Sequence, residues 1–168
     1  MRTWFKIQSF VANCLYWFFN FPQYGKAMEL KDYWTNELRE FADVARFMRQ
    51  FEYTSDKWID WYAYPLTYFA RDMHGDCDDA TLIGKWALKR IGIESRILRL
   101  ETKEQVSMKL WLLRLVSRKN RRKDHTICVS NDNDILISND TAIRFRAIDW
   151  YAFILRWFDY KYNVIKDA

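Results

Sequence analysis

The chain has 168 residues, enough for one domain with a sizeable buried core. Half of its residues are apolar and 29% are charged, with only 4 Gly and 2 Pro and no internal repeat, which sets aside disordered, fibrous and low-complexity classes. A net charge of +5 is too modest to make nucleic acid the expected partner, and 3 cysteines without regular spacing argue against a disulfide framework and for a reducing compartment. Aromatics are the outlier at 18%. They recur through the predicted helices rather than in one patch, so they read first as large core side chains, with a membrane-facing or aromatic binding surface as the alternative.

At the N-terminus, Trp4, Ile7, Val11, Cys14 and Phe18 recur at helical spacing and predict an amphipathic helix packed on the domain. Gln8, Ser9, Asn13 and Asn20 interrupt the apolar run and no Ala-x-Ala site follows, so the stretch does not read as a signal peptide. Nor does any segment offer the roughly eighteen unbroken apolar residues of a spanning helix. Pro22 and Gly25 predict a loop. From about Thr35 a second helix is signalled, with Leu38, Phe41, Val44, Met48 and Phe51 on one face and Glu37, Arg39, Glu40, Arg46 and Arg49 elsewhere. Asp56 to Tyr64 reads as a short aromatic helix or turn, and Pro65 opens a helix leading to Arg71. Trp61 and Tyr64 then lie near the next turn, either packing there or lining a groove for an acyl group.

The run Met73-His74-Gly75-Asp76-Cys77-Asp78-Asp79-Ala80-Thr81-Leu82 puts a cysteine after a glycine turn and before a predicted helix from Asp78 to Ile91, which Gly92 ends. Cys77 is thereby expected in the helix's first turn, where unpaired backbone N–H groups favour a thiolate and later an oxyanion. Asp76, Asp78 and Asp79 oppose this by charge, and the expected work of Asp78 and Asp79 is to cap the helix end. The thiolate would then depend on a protonated histidine.

Beyond Gly92, Ile93 to Leu100 predicts a strand, and Thr102 with Gln105 forms a capping-box pattern before a helix to about Val116. Arg118-Lys119-Asn120-Arg121-Arg122-Lys123 reads as a solvated loop, with contact to phosphate or an acidic polymer as the sharper alternative. Next comes a hairpin pattern, His125 to Ser130 and Ile135 to Asp140 about the turn 131–134. Pairing Ser130 with Ile135 carries Asp140 opposite His125, while a shift of one residue brings Asn139 there. Ile148 to Tyr162 predicts a closing helix with Ile148, Tyr151, Leu155 and Phe158 on one face.

Cys77 as nucleophile, His125 as base, and Asp140 or Asn139 as orienter compose a thiol triad, with Asp140 favoured. His74, across the Gly75 turn, is the poorer base. The two His-x-x-Cys pairs, His74 with Cys77 and His125 with Cys128, also make a zinc-ligand set. Alternation along a strand turns His125 and Cys128 to opposite faces, so no metal and no cofactor is expected.

Gly75-Asp76-Cys77-Asp78-Asp79 before an apolar helix, followed by the His125 strand and an Asp/Asn strand, resembles the transglutaminase-like cysteine peptidases of bacteria and phages. Phe51 to Asp56, Trp61, Pro65 and Ile91-Gly92-Ile93 are similar to the same family. The likeness covers roughly residues 51 to 140. Where many members end the last strand in aspartate then asparagine, this chain has Ser138-Asn139-Asp140. The resemblance implies an α+β fold with a papain/transglutaminase-like core, helix-rich with a small antiparallel sheet. It would fill one domain, 1–168, with a helical scaffold at 1–50, a catalytic core at 51–140, a helical insertion with a basic tail at 101–123 and a C-terminal helix at 141–168. It also implies a cysteine peptidase or amidase acting on a carboxamide bond of a protein or peptide, in the cytoplasm of a bacterium or of a phage's bacterial host. A non-catalytic binding module with the same fold is the alternative.

Overall fold

The computed structural model describes residues 3–54, 63–102, 125–146, 149–159 and 162–165. Helix α1 (Thr3–Asn20) passes through a 3-10 turn (Phe21–Gln23) into α2 (Tyr24–Glu37), followed by α3 (Phe41–Met48), β1 (Glu52–Tyr53), α4 (Pro65–Ala70) and β2 (His74–Gly75). Then come α5 (Cys77–Arg90), β3 (Ser95–Thr102), β4 (His125–Ser130), β5 (Ile135–Ser138), β6 (Thr141–Arg144), α6 (Trp150–Trp157) and β7 (Tyr162–Ile165). The predicted insertion helix and basic run lie outside the described residues, as do Trp61 and most of the Asp56–Tyr64 stretch.

Strands β6-β5-β4-β3-β7 form one sheet whose neighbours are all antiparallel. Alternation along each strand divides the apolar side chains between two faces. Cys128, Ile135 and Ile137 join a core with α2 to α5, while Leu98, Leu100, Ile127, Val129 and Leu136 pack with Phe145 and Ile154 on the side of α6. Gly84 of α5 sits on this sheet so closely that a Cβ there would lie 2.8 Å from Ile137 Cγ2. A helix can approach a sheet this nearly only where it lacks a side chain. The β4–β5 register is the expected one, Cys128 facing Ile137 and Val129 facing Leu136. Ser130 fixes the turn, its Oγ accepting from the backbone of Asp134 and Ile135 at 3.1 and 3.0 Å.

Several local expectations need correction. The stretch around Pro22 and Gly25 is not a loop: it enters α2, and the helical pattern beyond it breaks at Leu38, where the chain turns extended before Glu40 and Asp43 form a capping box for α3. The expected apolar face survives that break, with Leu38, Val44, Met48 and Phe51 buried. The closing helix is shorter than predicted and buries Ile154, while Tyr151 is exposed; residues 162–165 add a strand to the edge of β3. The largest departure is α1. Ile7, Val11, Cys14 and Phe18, expected to pack inward, are exposed, whereas Ser9 and Asn13 are buried. It docks through Tyr16 and Trp17, half-buried against the core, and through hydrogen bonds: Tyr64 N–H donates to Asn13 Oδ1 at 3.1 Å, and Trp17 Nε1 donates to Thr67 Oγ1 at 3.0 Å.

Candidate active site

Cys77 opens α5 as expected, and Gly92 follows that helix with a positive φ of 78°. The cap, however, is Asp76. Its carboxylate accepts from the backbone N–H groups of Asp78 and Asp79, at 3.0 and 3.3 Å. The capping role assigned to Asp78 and Asp79 is therefore corrected, since a cap must sit just outside the helix to reach the first free N–H groups. Asp79 does different work. Fully buried, it accepts from Ala63 N–H at 2.6 Å and from Arg71 Nη1 at 2.9 Å, tying the chain before α4 and the turn after it to α5. Gly75 makes room for this carboxylate, because a Cβ at that position would lie 2.5 Å from Asp79 Cβ. Asp72 and Met73, with φ of 51° and 66°, carry the strained backbone that swings the chain into β2.

Asp78 and Cys77 meet β4 at Thr126. Thr126 Oγ1 donates to Asp78 Oδ1 at 2.7 Å, and Thr81 Oγ1 lies 3.2 Å from Thr126 Oγ1 and 2.7 Å from the Cys77 carbonyl oxygen. The Cys77 thiol points to Asp78 Oδ1 at 4.0 Å. Burial first, and the Asp78 charge next, push this thiol up to about 12, with bonding from Thr126 pulling the other way. Burial pushes His125 down to about 4. Both shifts favour an uncharged thiol and an uncharged imidazole near neutral pH, against the charged pair expected from sequence.

His125 Nε2 is 2.8 Å from Ser138 Oγ, and its ring stands edge-on to Phe158 at 5.3 Å between centroids. It shares a strand face with Ile127 and Val129, while Thr126 faces α5. So the structure brings Cys77 to the residue beside His125 and brings His125 to Ser138; the thiol is hydrogen-bonded to neither ring nitrogen. Asp140 and Asn139 do not come opposite the imidazole. Strand β5 stops at Ser138, which pairs with Thr141 and leaves Asn139 (φ 50°) and Asp140 as the two residues of a tight turn. Asp140 is exposed there and accepts from Thr141 Oγ1 at 3.2 Å. Asn139 Oδ1 is buried with no hydrogen-bond partner among the described residues.

His74 is held away from the thiol, with Nε2 3.0 Å from Glu52 and Nδ1 3.0 Å from the Arg71 carbonyl oxygen. Cys128 is fully buried on the α5 side of the sheet, opposite in strand face to His125. Among the described residues no group of three or more His, Cys, Asp and Glu is gathered as a metal site. Sequence reasoning missed Ser138, Thr126 and the Asp79–Arg71 pair. Ser138 had a signal: in the correct register it is the diagonal, same-face neighbour of His125, two positions short of Asp140.

No family model and no curated protein matches the chain. Among solved structures, calcium-bound LapG of Legionella pneumophila superposes with a TM-score of 0.50 at 15% identity, over 80% of this chain and 70% of that one. The fold is accordingly α+β and transglutaminase-like, helix-rich with a small antiparallel sheet, which is the fold class expected from sequence.

Proposed function

We propose that this chain is a thiol-dependent acyl-transfer enzyme, a cysteine peptidase or amidase acting on a carboxamide bond of a protein or peptide. The observation that carries the reading is a cysteine at the capped start of a buried helix, pressed on β4 next to a histidine whose Nε2 is held by a hydroxyl. In this reading His125 takes the Cys77 proton, which requires the start of β4 to turn the imidazole from the α6 side toward α5 when substrate binds; apo geometry at such sites is commonly looser than in the complex. The sulfur attacks the carboxamide carbon, and the oxygen takes up the electron pair near the Cys77 backbone N–H. Asp76 already occupies the N–H groups of Asp78 and Asp79. Collapse expels the amine, which takes the proton from the imidazolium. Water then attacks the thioester as His125 accepts its proton, and the acid leaves with the thiol restored. Asn139 and Asp140 stay candidates for a supporting role at the turn beyond Ser138, and three free cysteines suit a bacterial cytoplasm.

A second reading, a binding module that keeps the fold without the chemistry, is favoured by two observations. The thiol is pushed up to about 12, and the group on Nε2 is a serine rather than a carboxylate. Iodoacetamide labelling mapped by mass spectrometry separates the two. An enzyme labels faster at Cys77 than at exposed Cys14 near neutral pH and loses that advantage in His125→Ala, while Ser138→Asp, which sets a carboxylate against the ring, increases it. Labelling of Cys77 no faster than Cys14, and unchanged in His125→Ala, would sink the enzymatic reading.

A further inference from the structure

Helix α1 presents to solvent a stripe built wholly of apolar and weakly polar side chains. Ile7, Phe10, Val11, Cys14, Leu15, Phe18 and Phe19 are all exposed, Phe18 at 79% and Phe19 at 75%, and Phe21 continues the stripe past the helix end. Scattered apolar residues on a surface need no explanation, but a continuous one-sided stripe along an 18-residue helix does. The helix cannot simply roll to bury it. Rolling would strip Tyr64 N–H of its acceptor on Asn13 and Trp17 of its acceptor on Thr67, and would carry buried Ser9 out in exchange for phenylalanines facing polar partners. The face that carries Ser9, Asn13, Tyr16 and Trp17 is committed to the protein, so the phenylalanine stripe is committed outward.

We propose that α1 is an interfacial anchor that lays this face on an anionic lipid bilayer, parallel to the membrane plane. Four of the exposed side chains are phenylalanines, a residue type that fills the apolar face of helices seated at the boundary of headgroups and acyl chains. Charge selects the occupant. Arg2, Lys6 and Lys26 precede Glu29, the first acidic residue of the chain, and Lys26 is already paired with Asp72 at 2.6 Å. A second copy of the chain would bring only the same acid-free stretch, residues 1–28, to this face, whereas registered helix pairs draw on opposite charges. Anionic headgroups supply the missing counter-charge. No described helix is long and apolar enough to cross a membrane, so the helix lies on the surface.

The full-length protein is tested by co-sedimentation with vesicles of phosphatidylglycerol and phosphatidylethanolamine, and with vesicles of phosphatidylcholine alone. In parallel, an environment-sensitive fluorophore is attached to Cys14 in a Cys77→Ala background. Capture by the anionic vesicles, weakening with salt, and a blue shift of the label are expected. The triple variant Phe10→Gln, Phe18→Gln, Phe19→Gln, checked for its fold by circular dichroism, should lose about tenfold or more of that binding. Capture of the triple variant equal to wild type would overturn the proposal, as would equal capture by phosphatidylcholine. Absence of capture, with light scattering showing a dimer that the triple variant abolishes, would assign the face to a second copy of the chain instead.

Discussion

Helices α5 and α1 both lie against the domain, yet they dock by opposite faces. Helix α5 buries Ala80, Ile83, Ala87 and Leu88 and brings Gly84 down onto Ile137, so an apolar stripe meets an apolar sheet. Helix α1 buries Ser9 and Asn13 and turns its phenylalanines away. The difference lies in the surface each meets. The chain at Tyr64 and Thr67 offers a backbone N–H and a hydroxyl acceptor that need partners, and leaving such groups buried and unpaired costs about 1–3 kcal/mol each. An apolar stripe identifies what a helix could bury, while the needs of the receiving surface decide what it does bury.

The contrast is tested most severely at Asp79. Asp79→Ala leaves Arg71 and Ala63 N–H without their buried acceptor and should lower stability by about 3–5 kcal/mol in urea unfolding. A loss below about 1 kcal/mol would mean that the turn before α5 stands without this carboxylate. Next in size is Gly84→Val, which overpacks the helix–sheet contact and should cost about 1–3 kcal/mol. Gly25→Ala is its control: Gly25 lies within α2 with nothing within 4 Å of an added Cβ, and the change should stabilise by about 0.5–1 kcal/mol. On α1 the usual order of sensitivity inverts. Asn13→Ala should destabilise by about 1–3 kcal/mol, while Phe18→Gln should stay within about 0.5 kcal/mol. The reverse ranking would show that α1 buries its apolar stripe.

The smallest expected effect concerns the thiol, with Cys14 of α1 as an internal reference. Asp78→Asn removes a negative charge that helps push Cys77 up to about 12, so its titration should move down and its labelling near pH 8 should rise severalfold relative to Cys14. An unchanged ratio would assign the shift to burial alone.

Where a pattern was local and one-sided, the sequence carried it far. The Cys77 helix start, its Gly92 end, the Pro65 helix and the β4–β5 register all rest on short-range chemistry at named positions. What escaped depended on distant partners. Strand β7 exists because β3 has an open edge, and a strand of four residues carries little signal by itself. The group facing His125 turned on where β5 ends, and a two-residue turn at Asn139-Asp140 removed both favoured residues from the strand while leaving Ser138 on it. Asp76 rather than its neighbours capped α5 because a cap is set by one residue's position, finer than sequence boundaries resolve.

The ladder between β3 and β4 has a topological consequence. Leu100 lies across from His125, so the segment 103–124 leaves and re-enters the sheet at adjoining points. The ends of a loop inserted there are already held together, and lengthening it adds only a slowly growing entropic penalty. Additions and deletions between β3 and β4 are therefore among the changes this fold tolerates most readily, and each of them is delivered beside the histidine.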